Sequence, residues 1–244
     1  LNAVDEMQRE CFRTLATLPG ARLIDVAGAF GAMTGIPLTF FNGIATAGPG
    51  TDIDAVCSIF QSARCAFRWW THDLGEELVK RGLRFVYDSA AMDAVMTGVP
   101  FDREPVPGLV IRRAESLQTW AAVLLGVFGI PLENVRYWVD AYEFLGRQKE
   151  PRWAHFVAWD GNVPVATSSV LRAGDLAGIY HVATVAEARG RGIGAAVTLE
   201  ALRHARDLGA TRAALQSSPL GESVYRSLGF RHLGPLAMYD WGQV

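Results

Sequence analysis

The sequence predicts an α/β fold on a mixed sheet (α+β mixed), and three observations in its second half predict it. Segments there follow the order strand, two helices, three strands, helix, strand, helix, strand. An Asp160-Gly161-Asn162 turn between two apolar runs signals an antiparallel hairpin. A glycine-rich segment, residues 189–195, then leads from a strand into an amphipathic helix. The antiparallel start is thus followed by one strand-helix-strand crossover.

Taken in order, residues 1–20 carry Asp5, Glu6, Arg9, Glu10 and Arg13 among apolar positions. They read as an amphipathic helix, not a cleaved leader. A strand in P-L-T-F-F-N-G-I-A-T (37–46), a helix at about 52–62 and a strand in A-F-R-W-W-T-H (66–72) follow. The segment V-P-F-D-R-E-P-V-P-G (99–108) holds three prolines and reads as a linker, dividing 1–105 from 106–244. Beyond it, 108–112 reads as a strand, 114–127 and 132–145 as helices, 153–159 and 163–171 as the hairpin, and 175–185 as a third strand. Residues 192–208 place Ile193, Val197, Ala201, Ala205 and Leu208 on one helical face, closed by Gly209. A strand at 211–216, a short helix at 220–228 and a strand at 231–239 complete the chain.

A length of 244 residues suits one large domain or two small ones. A formal net charge of -2 gives no broad electrostatic reason to bind nucleic acid or anionic membrane, and neither partner is expected. The longest apolar stretch, 119–132, is too short to span a bilayer. Cys11, Cys57 and Cys65 are odd in number and form no CxxC pair. Reduced thiols in a cytoplasm, with no disulfide framework and no metal, are expected. The chain is expected to be a monomer or homodimer.

The chemistry concentrates in Arg189, Gly190, Arg191, Gly192, Ile193, Gly194 and Ala195. A glycine inside a helix costs roughly 1 kcal/mol against alanine, so several at one helix entrance imply close approach to the backbone. The first N–H groups of a helix lack intrahelical partners, and the dipole adds partial positive charge there. Such a site holds phosphate, and with two arginines beside it the expected ligand is a diphosphate. A plain glycine-rich turn is one alternative. The dinucleotide fingerprint G-x-G-x-x-G/A, met by Gly190, Gly192 and Ala195, is another. Against the fingerprint, little chain follows the motif, the next strand ends in Gln216, Ser217 and Ser218 rather than an acid, and a hairpin precedes it. No G-x-x-x-x-G-K-[ST] occurs, which excludes a P-loop.

I-Y-H-V-A-T-V-A-E-A-R-G-R-G-I-G-A-A (179–196) resembles the motif of the GNAT acyltransferases, with Arg189, Gly192 and Gly194 in its three fixed places. S-V-Y-R-S-L-G-F (223–230) resembles that family's second signature, and L-V-I-R-R-A (109–114) its opening strand. The resemblance covers about 107–244 and implies the GNAT fold and a CoA-dependent N-acyltransferase. Its co-substrate would be acetyl-CoA or another acyl-CoA, and its acceptor a small-molecule amine or a protein amine.

By that resemblance residues 189–195 hold the CoA pyrophosphate. The backbone of Val182, Ala183 and Thr184 holds the pantetheine arm and thioester, and Tyr225 is the general acid. Ser217 and Ser218 follow the next strand, where the family has a polar contact to pantetheine; Ser218 before Pro219 also suits a helix N-cap. The base is left open. Strand alternation puts Gly178, Tyr180, Val182 and Thr184 on one face and His181 on the other, in a packing role. A water chain, His155, Asp175 or an already neutral amine would serve instead. An acyl-CoA-binding pseudoenzyme is the alternative function.

The first hundred residues echo the second half. E-L-V-K-R-G-L-R-F-V-Y-D-S-A-A-M-D (77–93) parallels S-V-Y-R-S-L-G-F-R-H-L-G-P-L-A-M-Y-D (223–240). Gly48-Pro49-Gly50 stands where a pyrophosphate loop belongs but has no arginine, and Leu78 or Val79 falls near the place of the tyrosine. A degenerate N-terminal GNAT-like lobe is expected.

Overall fold

The computed structural model describes residues 2–26, 28–47 and 50–242. Gly48 and Pro49, part of the expected degenerate loop, lie outside the described residues. Two compact units emerge: Leu1–Ala91 with Ser217–Pro219 and Leu233–Val244, and Met92–Gln216 with Leu220–His232.

The first unit opens with α1 (Ala3–Leu15), set by a capping box. The Asn2 side chain accepts from Val4 N and Asp5 N, and the Asp5 carboxylate accepts from Asn2 N. β1 (Arg22–Val26) and β2 (Ala29–Met33) form an antiparallel pair that the sequence reading missed. The cause is that β2 is buried at nearly every position, so it shows no alternation. The strand expected over 37–46 is shortened to β3 (Gly43–Ala47), preceded by a 3-10 turn, Thr39–Phe41. The fully buried Asn42 amide accounts for the turn: it accepts from Thr34 N at 2.8 Å and donates to the carbonyls of Ile36 and Leu38. α2 (Ile53–Ser62) then crosses to β4 (Phe67–Thr71), which lies parallel to β3. α3 (Gly75–Lys80) leads into β5 (Arg84–Val95). The core is built around Ile44, Phe60, Phe67 and Trp69. The last strand of the chain (Arg231–Trp241) runs antiparallel to β4, from Ala237↔Thr71 to Trp241↔Phe67. A buried bidentate pair fixes it there, with Arg68 Nε and Nη2 each 2.7 Å from an oxygen of Asp240.

The second unit carries β6 (Leu109–Arg113), α4 (Leu117–Phe128), α5 (Val135–Gly146), β7 (Trp153–Asp160), β8 (Val163–Ala173) and β9 (Leu176–Thr184). Next come α6 (Ile193–Asp207), β10 (Arg212–Ser217), α7 (Glu222–Ser227) and β11, the C-terminal strand already described. The strands lie in the order β10-β9-β8-β7-β6, antiparallel except for the crossover pair β9/β10. The β7–β8 turn is a two-residue loop, since Asp160 pairs with Val163, and Gly161 sits at φ +59°. α4 starts later than expected because Ala114 N still extends the β-ladder, donating to His155 O. One face of the sheet meets α4 and α5, as Trp120 on His155 records; the other meets α6, where Ser168 Oγ donates to Val197 O. Each unit therefore has an antiparallel strand pair followed by a parallel pair bridged by a helix, β2-β3-α2-β4 and β8-β9-α6-β10. Among the described residues no helix is long and apolar enough to cross a membrane.

Candidate active site

β9 changes character halfway along. It pairs with β8 at Ser169↔Tyr180 and again at Thr167↔Ala183, so His181 and Val182 stand opposite Ser168 alone. This is a β-bulge, and His181 takes φ +54°, a left-handed value that costs a non-glycine residue about 1 kcal/mol. The bulge overturns the expectation that alternation separates Tyr180 from His181. Both rings lie against Trp153, at 5.2 and 5.8 Å, and His181 also packs edge-on to Trp120 at 5.2 Å. The packing role foreseen for His181 is real, but it is played among the aromatic residues of the α4/α5 side.

Pairing of β9 with β10 stops at Ile179↔Leu215, while β9 runs on to Thr184. The edge carrying Val182, Ala183 and Thr184 thus has a strand partner on β8 and none in the β10 register. A 3-10 turn, Ala186–Ala188, then delivers the chain to Arg189. Gly190 and Gly192 adopt φ +76° and +80°. No side chain caps α6, which leaves its first N–H groups for an outside acceptor. A Cβ on Gly192 would meet only a Val106 methyl, at 3.7 Å. Ile193 and Ala195 are buried and anchor the first turn, and the Thr198 hydroxyl back-bonds to Gly194 O. The two arginines expected to add positive charge are both engaged within the chain. Arg189 Nε folds back onto Thr184 O at 3.1 Å, and Arg191 pairs with Asp160 at 2.7 Å. A bare helix N-terminus behind two left-handed glycines fits a diphosphate through backbone N–H groups.

α7 packs on α6 and carries Tyr225, whose ring is buried edge-on to Phe230. Burial pushes its phenol well above the ordinary tyrosine value, so the hydroxyl stays protonated. Gly229, at φ +86°, closes this turn; a Cβ there would come within 2.6 Å of Gly98 O. Ser217 is buried and donates to Ser218 O, while Ser218 is exposed. The N-cap of α7 is Gly221, so Ser218 does not cap it.

The suggested bases separate clearly. Asp175 lies beyond the start of β9 and is held by Arg212 and Thr211, its carboxyl kept below the usual range by those bonds. At ~3.3 Å per residue it is on the order of 20 Å from Val182. His155 is buried, with Nδ1 2.8 Å from Ser169 Oγ, and burial holds it neutral. His181 Nε2 is 3.2 Å from the Tyr142 hydroxyl, and its Nδ1 is buried with no partner. The cluster of Trp120, Tyr142 and Trp153 around it escaped sequence reasoning. Its signal was inward aromatic positions on two helices, which read as ordinary core.

Residues 121–230 match the acetyltransferase (GNAT) family. No curated protein matches the chain significantly. Among solved structures, a GCN5-related N-acetyltransferase from Kribbella flavida is similar over 99% of this chain and 96% of its own, with TM-score 0.71 and 18% identity. A GCN5-related N-acetyltransferase from Sphaerobacter thermophilus is similar over 91% of this chain and 75% of its own, with TM-score 0.61 and 15% identity. A tandem GNAT protein from the clavulanic acid biosynthesis pathway is similar over 100% and 98%, with TM-score 0.59 and 12% identity. At these identities the likeness is one of fold, and it extends over both halves of the chain. The family match thus gives residues 121–230, which contain the uncapped helix and its glycine loop, an acetyltransferase (GNAT) domain, and over the rest of the chain the likeness is one of fold.

Proposed function

We propose that this protein transfers an acetyl or other short acyl group from CoA to an amine by direct attack in a ternary complex. The observation that carries this reading is the bare N-terminus of α6, set behind Gly190 and Gly192, directly after the β9 edge that β10 leaves unpaired. The backbone of residues 189–195 binds the pyrophosphate. The backbone of Val182, Ala183 and Thr184 orients the thioester arm, with Ser217 and Ser218 as further polar contacts. Acetyl-CoA supplies the activated acyl group. Tyr225, kept protonated by burial, donates a hydrogen bond to the sulfur and supplies its proton as the C–S bond breaks. His181, neutral and oriented by Tyr142, has its pKa lowered to about 3 by burial and is too weak a base for this step, so the amine attacks already neutral and loses its proton through a water chain. Orientation and backbone polarisation supply much of the rate. In the same reading residues 1–105 form a degenerate GNAT-like lobe and 106–244 the catalytic one, supported by the repeated strand pairing. The acceptor is a small molecule or a protein amine.

The burial of His181 Nδ1 favours one rival, an acyl-CoA-binding module without turnover. Thermal shift with CoA followed by thiol release from acetyl-CoA across a panel of amines tests both. Stabilisation with amine-dependent release supports the enzyme. Stabilisation without release across the panel favours the module, and no stabilisation overturns both.

A further inference from the structure

We propose that a cavity at the C-terminal end of α6 is a second ligand site, one that takes a small oxyanion, a phosphate or a carboxylate on a short carbon body. The cavity measures about 260 Å³ and is lined by four basic residues, Arg113, Arg152, Arg172 and His204, set against apolar side chains that include Val170 and Leu208. Strand order brings the cations together. Arg113 ends β6, Arg152 precedes β7 and Arg172 lies near the end of β8. The antiparallel ladders align those ends: Arg113 pairs with Phe156, Arg172 N donates to Arg152 O, and Arg152 Nε donates to Arg172 O. The last turn of α6 supplies His204.

No carboxylate lines the cavity. Three acids on neighbouring segments are engaged elsewhere, Glu200 with Arg203, Asp207 with Arg206 and Asp175 with Arg212. Among the described residues neither Arg113 nor Arg172 has an ion-pair partner. Converging like charges at one recess cost stability unless an anion joins them. The negative end of the α6 dipole accounts for one cation at this place, but not for Arg113 and Arg172, which come from separate strands. The volume exceeds that of a bare phosphate, and the apolar wall fits a short carbon body. At 1.5 Å per residue, the fifteen residues of α6 put His204 on the order of 20 Å from Gly192, so the occupant does not compete for the pyrophosphate loop.

The test is calorimetric titration of inorganic phosphate and, in a second arm, succinate, at constant ionic strength. It uses the wild type, the double variant Arg113→Gln/Arg172→Gln, and Gly192→Glu. Binding in the millimolar range or tighter is expected for the wild type. It should survive in Gly192→Glu and weaken roughly tenfold or more in the double variant, because charge-assisted bonds are lost. The arm that binds tighter identifies the anion. Absence of binding by either anion, equal binding by the double variant, or loss only in Gly192→Glu each overturns the proposal. If circular dichroism shows the double variant unfolded, Arg113→Gln alone, on the exposed end of β6, must still weaken binding.

Discussion

Nε2 of His181 lies 3.2 Å from the Tyr142 hydroxyl, and this contact ties α5 to the bulge in β9. His181 as a residue is half-buried, yet its Nδ1 is shut away from solvent. In the tautomer that presents a lone pair at Nδ1, the Nε2–H donates to the Tyr142 oxygen. The bulge is what makes this possible. An unbroken strand would turn His181 toward α6 and leave Tyr142 without the contact.

Burial lowers the His181 pKa to about 3 and holds His155 well below its ordinary value. Both folded values lie under the unfolded value of about 6.5, so the unfolded chain takes up protons first. The stability contribution is complete above about pH 6.5 and is lost as pH falls toward 3. For His181 the loss at pH 5 is about 2 kcal/mol. Denaturant melts at pH 7 and pH 5 should show a larger drop for the wild type than for His181→Gln. Equal drops would remove His181 from the acid sensitivity.

Gly192→Glu should abolish CoA binding in a folded protein. The position is open apart from the Val106 methyl, so the fold tolerates a side chain at the cost of a left-handed φ. The glutamate places a like charge where phosphate would sit. Gly192→Ala carries the same strain without the charge and should bind more weakly than wild type but measurably. Calorimetry showing unchanged affinity in Gly192→Glu would put the pyrophosphate elsewhere.

One CoA should bind per chain. The N-terminus of α6 is uncapped, whereas the corresponding helix of the first unit, α2, is capped by the Asp52 carboxylate on Ala55 N and carries Asp54 in its first turn. That N-terminus already holds negative charge, which disfavours a phosphate. A stoichiometry of two in a calorimetric titration would show that the first unit also binds.

What was legible in the sequence was what depends on neighbouring residues. The loop from Gly190 to Gly194 could be read because left-handed backbone and an uncapped helix demand glycine locally. The Asp160-Gly161 hairpin could be read for the same reason. The His181 bulge could not, because alternation assumes an unbroken strand, and the extra residue shows only against Ser168 on the partner strand. β2 stayed hidden because burial on both faces erases the period of two. The place of the C-terminal strand beside β4 depends on Arg68 and Asp240, 172 residues apart, which no local pattern connects.

Tyr225→Phe tests the chemical step. The variant keeps the ring and its edge contact with Phe230 and removes only the hydroxyl. If Tyr225 protonates the leaving thiolate, turnover should fall by about 100- to 10,000-fold, the range typical of general acid catalysis, while CoA affinity changes little. If the hydroxyl holds the sulfur only in the ground state, affinity should weaken and turnover change less. The raised phenol pKa adds a second readout: no loss of activity from Tyr225 ionisation should be seen up to about pH 10, where an ordinary tyrosine is half deprotonated. The measurement is single-turnover acyl transfer to an amine found by screening, so that product release does not mask chemistry. Full single-turnover rate in the Phe variant would exclude Tyr225 as the acid and leave the thiolate to depart unprotonated or to solvent.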